Sequence, residues 1–455
     1  MTATDDVIYP LRSAMLPRGG RGRPNATSTA EPWSRSGVEL AAGQSRSSVP
    51  DRGVLGSPPL PAPPGRRGRL AAGLVGCLTF LAIGWTGLLI PSLIRSIEAD
   101  FGQTDAGIGI VYLAYAVAYA SGSFGGGPLT ERLGRRPVLG GALLVTGLGA
   151  AGLGLAPAWA VFVLAALTAG AGAGCLDGGA NGLFLDVFRE NRGRAMNLLH
   201  TSFSLGALAA PLIVGALVEG GTPWQTVAVG TGAVVSFLAV AYVIVPMPSG
   251  RRTIGHEDAG RPAASGAHGH RSLLAGPLLL LGIAIAAYVA SEVGVSNWVV
   301  RFLEPAPLST ATLALSLYWA GLTAGRLVSS VIADRFDHLR FTIACALAMA
   351  VLIAAAVLVP QLSLSVAAFA AAGVASGPVF PMIVAIGGER YPERSAAVGG
   401  SLTGMAVIGS TIYPPAMGFL SVTVGLGVAM FGNALLAIAC VLALVVFGRA
   451  TRRRR

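Results

Sequence analysis

Two short stretches of this chain combine the residue types and spacing needed for proton and hydroxyl chemistry. In AGAGCLDGGANGLF, Asp177 and Asn181 lie four residues apart, on one face of a helix among small residues. A carboxylate so placed can take up and release a proton, and the glycines leave room for a small ligand. In MNLLHTSFSLGA, Asn197, His200, Thr201 and Ser204 fall at i, i+3, i+4 and i+7, a polar stripe on an otherwise apolar helix and a wall suited to hydroxyl groups. A third site, YVASEVG, carries Tyr288 one turn before Glu292, expected near the mouth of its helix, where the pair can gate or touch a ligand. Arg326, in a later apolar run, is expected to reach along its helix toward Asp334 as a structural group. Cys77, Cys175, Cys345 and Cys440 lie singly in separate runs, and His256, His268 and His270 lie in a polar linker. No metal, cofactor or enzyme chemistry is expected from them.

The elements that hold these residues follow from composition. The chain has 455 residues, 53% hydrophobic and 12% charged, about half the charge of a soluble domain. Twelve apolar runs are long enough to cross roughly 30 Å of hydrocarbon, from Ala71–Ile94 to Leu426–Phe447. They do not alternate in polarity as barrel strands would, so the expected class is all-α integral membrane. The net charge of +11 comes from arginine alone. Nearly all of the arginines fall before residue 70, in the loops of one side and at the C-terminus, with only Arg95 and Arg301 in the loops of the other. That asymmetry places both termini in the cytoplasm. It also excludes nucleic acid as the partner, because the charge marks one side of a bilayer and builds no groove.

The domains expected are a disordered basic tail (1–69), a six-helix bundle (70–246), a cytoplasmic linker (247–272), a second six-helix bundle (273–448) and a basic tail (449–455). A repeat at an offset of 203 residues relates the bundles: Tyr115 falls on Tyr318, Gly122 on Gly325, and Glu131-Arg132 on Asp334-Arg335.

The loop after the second span contains Gly127, Leu129, Glu131, Arg132, Gly134, Arg135 and Arg136. It resembles the signature G-x-L-x-D-R-x-G-R-R of the major facilitator superfamily, with Glu for Asp. In the second copy Asp337 and His338 replace the glycine and the first arginine. The resemblance implies twelve transmembrane helices in two pseudo-symmetric six-helix bundles. Within that frame the loop, with Asp334 and Arg335, is expected to act as a conformational latch between bundles. The stretches CLDGGANGLF, RGRAMNLLHTSFSLGA, YVASEVGVSNW and GPVFP further resemble the fucose and glucose proton-symporter branch. That likeness implies Asp177 as the coupling acid, with Glu292 as second candidate. It puts Asn181, Asn197 and His200 on a sugar-facing wall, to which position adds Thr201, Ser204 and Tyr288.

The expected function is therefore secondary active uptake, by alternating access, of a small hydroxylated solute such as a sugar, driven by protons. The site is a monomer in the cell membrane, with the lipid bilayer as its surroundings. Two alternatives stay open. One is a proton antiporter exporting drugs or metabolites, for which Gly206 and Pro211 give a partial motif interrupted at Ala210. The other is a sensor or scaffold that binds without transporting.

Overall fold

The computed structural model describes residues 66–188, 192–245 and 276–452. The expected tail up to residue 65, the histidine-bearing linker and the last three arginines lie outside the described residues. Proline and glycine set the helix ends. The first crossing is α1 (Arg66–Gly87) and α2 (Leu89–Phe101), bent at Leu88. Then come α3 (Asp105–Leu133), α4 (Arg135–Leu155), α5 (Trp159–Val187), α6 (Arg192–Glu219) and α7 (Trp224–Ile244). The second half comprises α8 (Pro277–Phe302), α9 (Leu308–Ile332), α10 (His338–Leu358), α11 (Leu362–Ser376), α12 (Val379–Arg390), α13 (Ser395–Val424) and α14 (Leu426–Arg452). α11 and α12 form one crossing interrupted at Gly377-Pro378, where proline has no N–H to donate and its ring crowds the preceding turn.

Twelve crossings result, in the two-bundle arrangement expected. Eleven are long and apolar enough to span a membrane. The twelfth, α9, has the length but carries Arg326 and a series of serines and threonines that lower its hydropathy. The first crossing runs past the expected Ile94 to Phe101, and α14 continues past residue 448 to Arg452.

The repeat is visible in the backbone. α9, α10, α11 and α13 begin at Leu308, His338, Leu362 and Ser395, each 203 residues after the starts of α3, α4, α5 and α6. Close helix approaches repeat with it. A Cβ at Gly122 would run into the carbonyl oxygen of Ala171, and one at Gly325 into that of Val374, again 203 residues on. Lipid gives helices no hydrophobic drive to associate, so such backbone contacts carry much of the cohesion. In one bundle α3 and α4 pack on α5 and α1 on α6; in the other α9 and α10 pack on α11 and α8 on α13. The bundles meet along α3 with α13 and α6 with α9. Exposed leucines and valines such as Leu148, Val243, Val351 and Leu442 face outward, as the bilayer requires.

Candidate functional site

The contacts that join the bundles define where the molecule is closed. We call the end bearing the α3–α4 turn the basic end, and the opposite one the far end. At the far end Arg301 of α8 places Nε 2.8 Å from both Glu98 of α2 and Asp105 of α3, and it also pairs with Glu304. Arg95 donates to the carbonyl oxygens of Val300 (2.9 Å) and Ala306 (2.8 Å). Ser421 of α13 donates to Asp105, Tyr112 donates to the Asn297 carbonyl at 2.8 Å, and the Ser309 amide donates to Glu219 at 2.5 Å. Among the described residues these inter-bundle bonds gather in the far half.

At the basic end the pairs stay within one bundle. Arg135, buried at the start of α4, pairs with Asp186 near the end of α5. His338 and Glu389, each 203 residues on, pair at 2.6 Å, so replacing the arginine by histidine keeps the contact. Arg136 donates to the Val245 carbonyl at 3.0 Å. The turn between α3 and α4 is made by Gly134 at φ +95°, a conformation that L side chains resist. Gly127 is half-buried at the end of α3, and Leu129, Glu131, Arg132 and Arg335 are exposed; of Asp334 only the backbone is described. With the basic end apart, this state holds no inter-bundle bond through the expected latch residues among those described.

Between the two ends lies the candidate site. Asp177 is half-buried on α5. Asn181 donates to its Oδ1 at 3.0 Å, Ser123 of α3 lies 3.3 Å from Oδ2, and the Tyr119 hydroxyl sits alongside. All three partners are neutral. The Oδ1 of Asn181 is a buried acceptor without a partner. On α6, Asn197 and His200 present accessible surface, whereas Ser204 is buried with its hydroxyl 3.2 Å from the His200 carbonyl. The Thr201 hydroxyl is likewise held by the Asn197 carbonyl at 2.7 Å. The stripe thus divides, with two residues offered to the gap and two satisfied by their own helix.

The second bundle corrects two expectations. Glu292 is not at a mouth. α8 begins at Pro277 after Gly276 (φ +71°), four residues later than the apolar run does, which puts Glu292 in the middle of the helix. It is 8% exposed and bonded by Tyr288, whose fully buried hydroxyl also reaches the Ser376 carbonyl at 2.9 Å. Tyr288 therefore presents no surface to a ligand in this state. Arg326 faces Glu292 at 4.0 Å and acts electrostatically on His200 across the gap, instead of turning toward the basic end. Trp319 of α9 stacks edge-on against Phe203 of α6, and its indole Nε1 is a buried donor without a partner. Sequence reasoning missed Trp319, Asp186 and the Glu98–Asp105–Arg301 cluster.

This geometry resembles known transporters. A bacterial homologue of the human lysosomal transporter Spinster, in an inward-facing unoccupied conformation, superposes with TM-score 0.71 at 16% identity, covering 86% of this chain and 99% of that one. The E. coli transporter FucP in its outward conformation gives 0.58 at 18% identity, over 84% and 99%. By sequence, the sodium-dependent glucose transporter 1 of Danio rerio is 31% identical over 146 residues, 32% of this chain and only 24% of that protein's length. The gentisate transporter of Corynebacterium glutamicum is 24% identical over 399 residues, 83% of this chain and 88% of that protein. The family model of the Major Facilitator Superfamily matches residues 74–305 and 280–455. The chain belongs to this superfamily and is a membrane transporter, not an enzyme.

Proposed function

We propose that the protein takes up a small hydroxylated solute, a sugar in the first instance, by proton-coupled alternating access, with Asp177 as the coupling acid. The observation that carries this reading is the company Asp177 keeps. It sits well inside a spanning helix and is held by Asn181, Ser123 and Tyr119, with no cation paired to it among the described residues. A carboxylate at such depth is costly unless paired, and taking up a proton removes the cost. Glu292 differs, because Arg326 stands beside it and compensates its charge.

The solute class follows from what is left unsatisfied. Asn181 Oδ1 offers an acceptor in one bundle and Trp319 Nε1 a donor in the other. A polyol supplies both complements, and leaving such atoms bare costs about 1–3 kcal/mol each. Because Glu292 offsets Arg326, the gap favours a neutral solute. A second reading is uptake of a hydroxylated aromatic acid, favoured by Arg326 standing opposite His200 and by the near full-length match to the gentisate transporter. In either case the arginine-rich basic end faces the cytoplasm of a cell membrane, and the present state is inward-open.

Uptake by proteoliposomes under an imposed proton gradient tests the reading, with fucose, glucose and gentisate as solutes. Accumulation of a sugar that collapses with the gradient supports it. Accumulation of gentisate alone supports the second reading. Efflux driven by an opposed gradient would establish an exporter instead, and binding without flux a sensor.

A further inference from the structure

We propose that the basic end of the second bundle carries a binding site for the headgroup of an anionic phospholipid. A cleft of about 440 Å³ opens there between the start of α10, the end of α12 and the end of α14. Three arginines line it, Arg340, Arg390 and Arg449, one from each helix, and all three are exposed. None forms an ion pair with another described residue; Arg390 only covers the ring of Tyr391 at 5.7 Å. The two acids in the lining are engaged elsewhere. Glu389 is held by His338 at 2.6 Å, and Asp337 caps α10 by accepting from the Arg340 amide at 2.9 Å. The remaining wall is apolar: Leu339, Ile343, Ile386, Val445 and Phe447.

Three further observations select a lipid as occupant. First, the fold does not require these charges. By the 203-residue repeat Arg340 and Arg390 correspond to Pro137 and Val187, and the first bundle closes without them. Second, the cleft lies where the helices leave the hydrocarbon. Exposed Leu347 and Val351 on α10 and Leu442 and Val446 on α14 supply an outward apolar surface along which acyl chains can lie. Third, five of the last seven residues of the chain are arginine, beginning with Arg449 itself. Clustered arginine just past a transmembrane helix concentrates anionic lipid at that point, and guanidinium binds a phosphodiester in a planar, two-pronged way. Bound there, a headgroup bridges α10, α12 and α14 and draws together the part of the second bundle that borders the inner opening.

The test uses the full purified chain in neutral detergent and short-chain lipids as probes. Melting temperature is followed against concentration of dioctanoyl phosphatidylglycerol, of dioctanoyl phosphatidylcholine and of glycerol phosphate. Saturable stabilisation by phosphatidylglycerol alone is expected. One interfacial arginine is worth about fivefold in affinity, so the triple variant R340Q/R390Q/R449Q should weaken it roughly a hundredfold. R449Q alone, at an exposed position, should weaken it about fivefold and serves if the triple variant does not fold. Neutralising Arg453, Arg454 and Arg455 should leave the half-saturating concentration within about twofold. Equal stabilisation by phosphatidylcholine, or by glycerol phosphate, overturns the proposal. So does unchanged phosphatidylglycerol binding in R340Q/R390Q/R449Q or in R449Q, or loss of binding in the tail variant.

Discussion

Replacing Arg301 by glutamine should release the far end. Glu98 and Asp105 converge on one nitrogen of Arg301, each at 2.8 Å, and their side chains are only 10% and 7% exposed. Without the cation two carboxylates face each other in a closed interface. Breaking a buried pair costs about 3–5 kcal/mol, and because the Arg301 side chain is 24% exposed the lower end applies, about 2–3 kcal/mol after solvent screening. Opening the far end hydrates both acids and removes the cost. The ratio of closed to open molecules should therefore fall roughly 30- to 150-fold. A reporter cysteine at Asn297, whose carbonyl accepts the Tyr112 hydroxyl across the interface, reads this out. The four native cysteines are replaced by alanine, and a membrane-impermeant maleimide is applied to the far face of proteoliposomes. Labelling should speed up at least tenfold in R301Q, and adding Glu98→Gln, which removes one of the two opposed charges, should restore most of the protection. If R301Q lowers the melting temperature but leaves labelling unchanged, the cluster stabilises the fold and does not hold the far end shut.

Other outcomes follow from the same geometry. Asp177→Asn keeps size and hydrogen bonds but cannot titrate, so counterflow exchange of solute should persist in proteoliposomes while accumulation under a proton gradient is lost. Trp319→Phe keeps the ring against Phe203 but removes the unpartnered N–H, and solute affinity by calorimetry should fall about tenfold, as for one lost hydrogen bond. Arg135→Ala should slow turnover with little change in affinity, since its partner Asp186 lies a helical stretch away from Asp177; a collapse of affinity at preserved turnover would place that turn in the binding path. Gly122→Val and Gly325→Val each drive a side chain into a neighbouring backbone carbonyl, and both should lower the yield of monodisperse protein in size-exclusion chromatography.

The frame was legible in the sequence because it rests on short-range patterns. Apolar runs of a set length gave the crossings, and Tyr115 with Tyr318 and Gly122 with Gly325 gave the repeat that the helix starts then follow. The placement of Asp177 with Asn181 was legible for the same reason, since i,i+4 contact is a property of the helix itself. What was not legible depends on contacts between distant segments. Arg326 was read along its own helix, yet its charge is met by Glu292 from α8. Ser204 completed a polar stripe by spacing but is buried, because a helical stripe does not say which turns face a neighbour. Asp186 looked like one of several polar residues ending the fourth span. The repeat held a signal that spacing alone did not use: His338 and Glu389 fall on Arg135 and Asp186, two complementary pairs at equivalent positions.

That last correspondence separates scaffold from function. Where both bundles carry the same chemistry, as in the Arg135–Asp186 and His338–Glu389 pairs, it serves what both must do, which is to fasten the start of one helix to the end of the next crossing. Where equivalent positions differ, the difference marks work that only one bundle does. Ser123, which supports Asp177, corresponds to Arg326, which faces Glu292, so the carboxylate with neutral partners and the compensated ion pair stand in separate bundles on either side of the gap. Glu98 corresponds to Arg301, and near a two-fold axis equivalent positions approach each other, so an acid in one repeat and a base in the other attract across the interface. An identical residue in both repeats would set like charges together there. The far-end closure therefore depends on the repeats having diverged at this position, and the same divergence makes Arg301 a single point at which the two-state equilibrium can be moved.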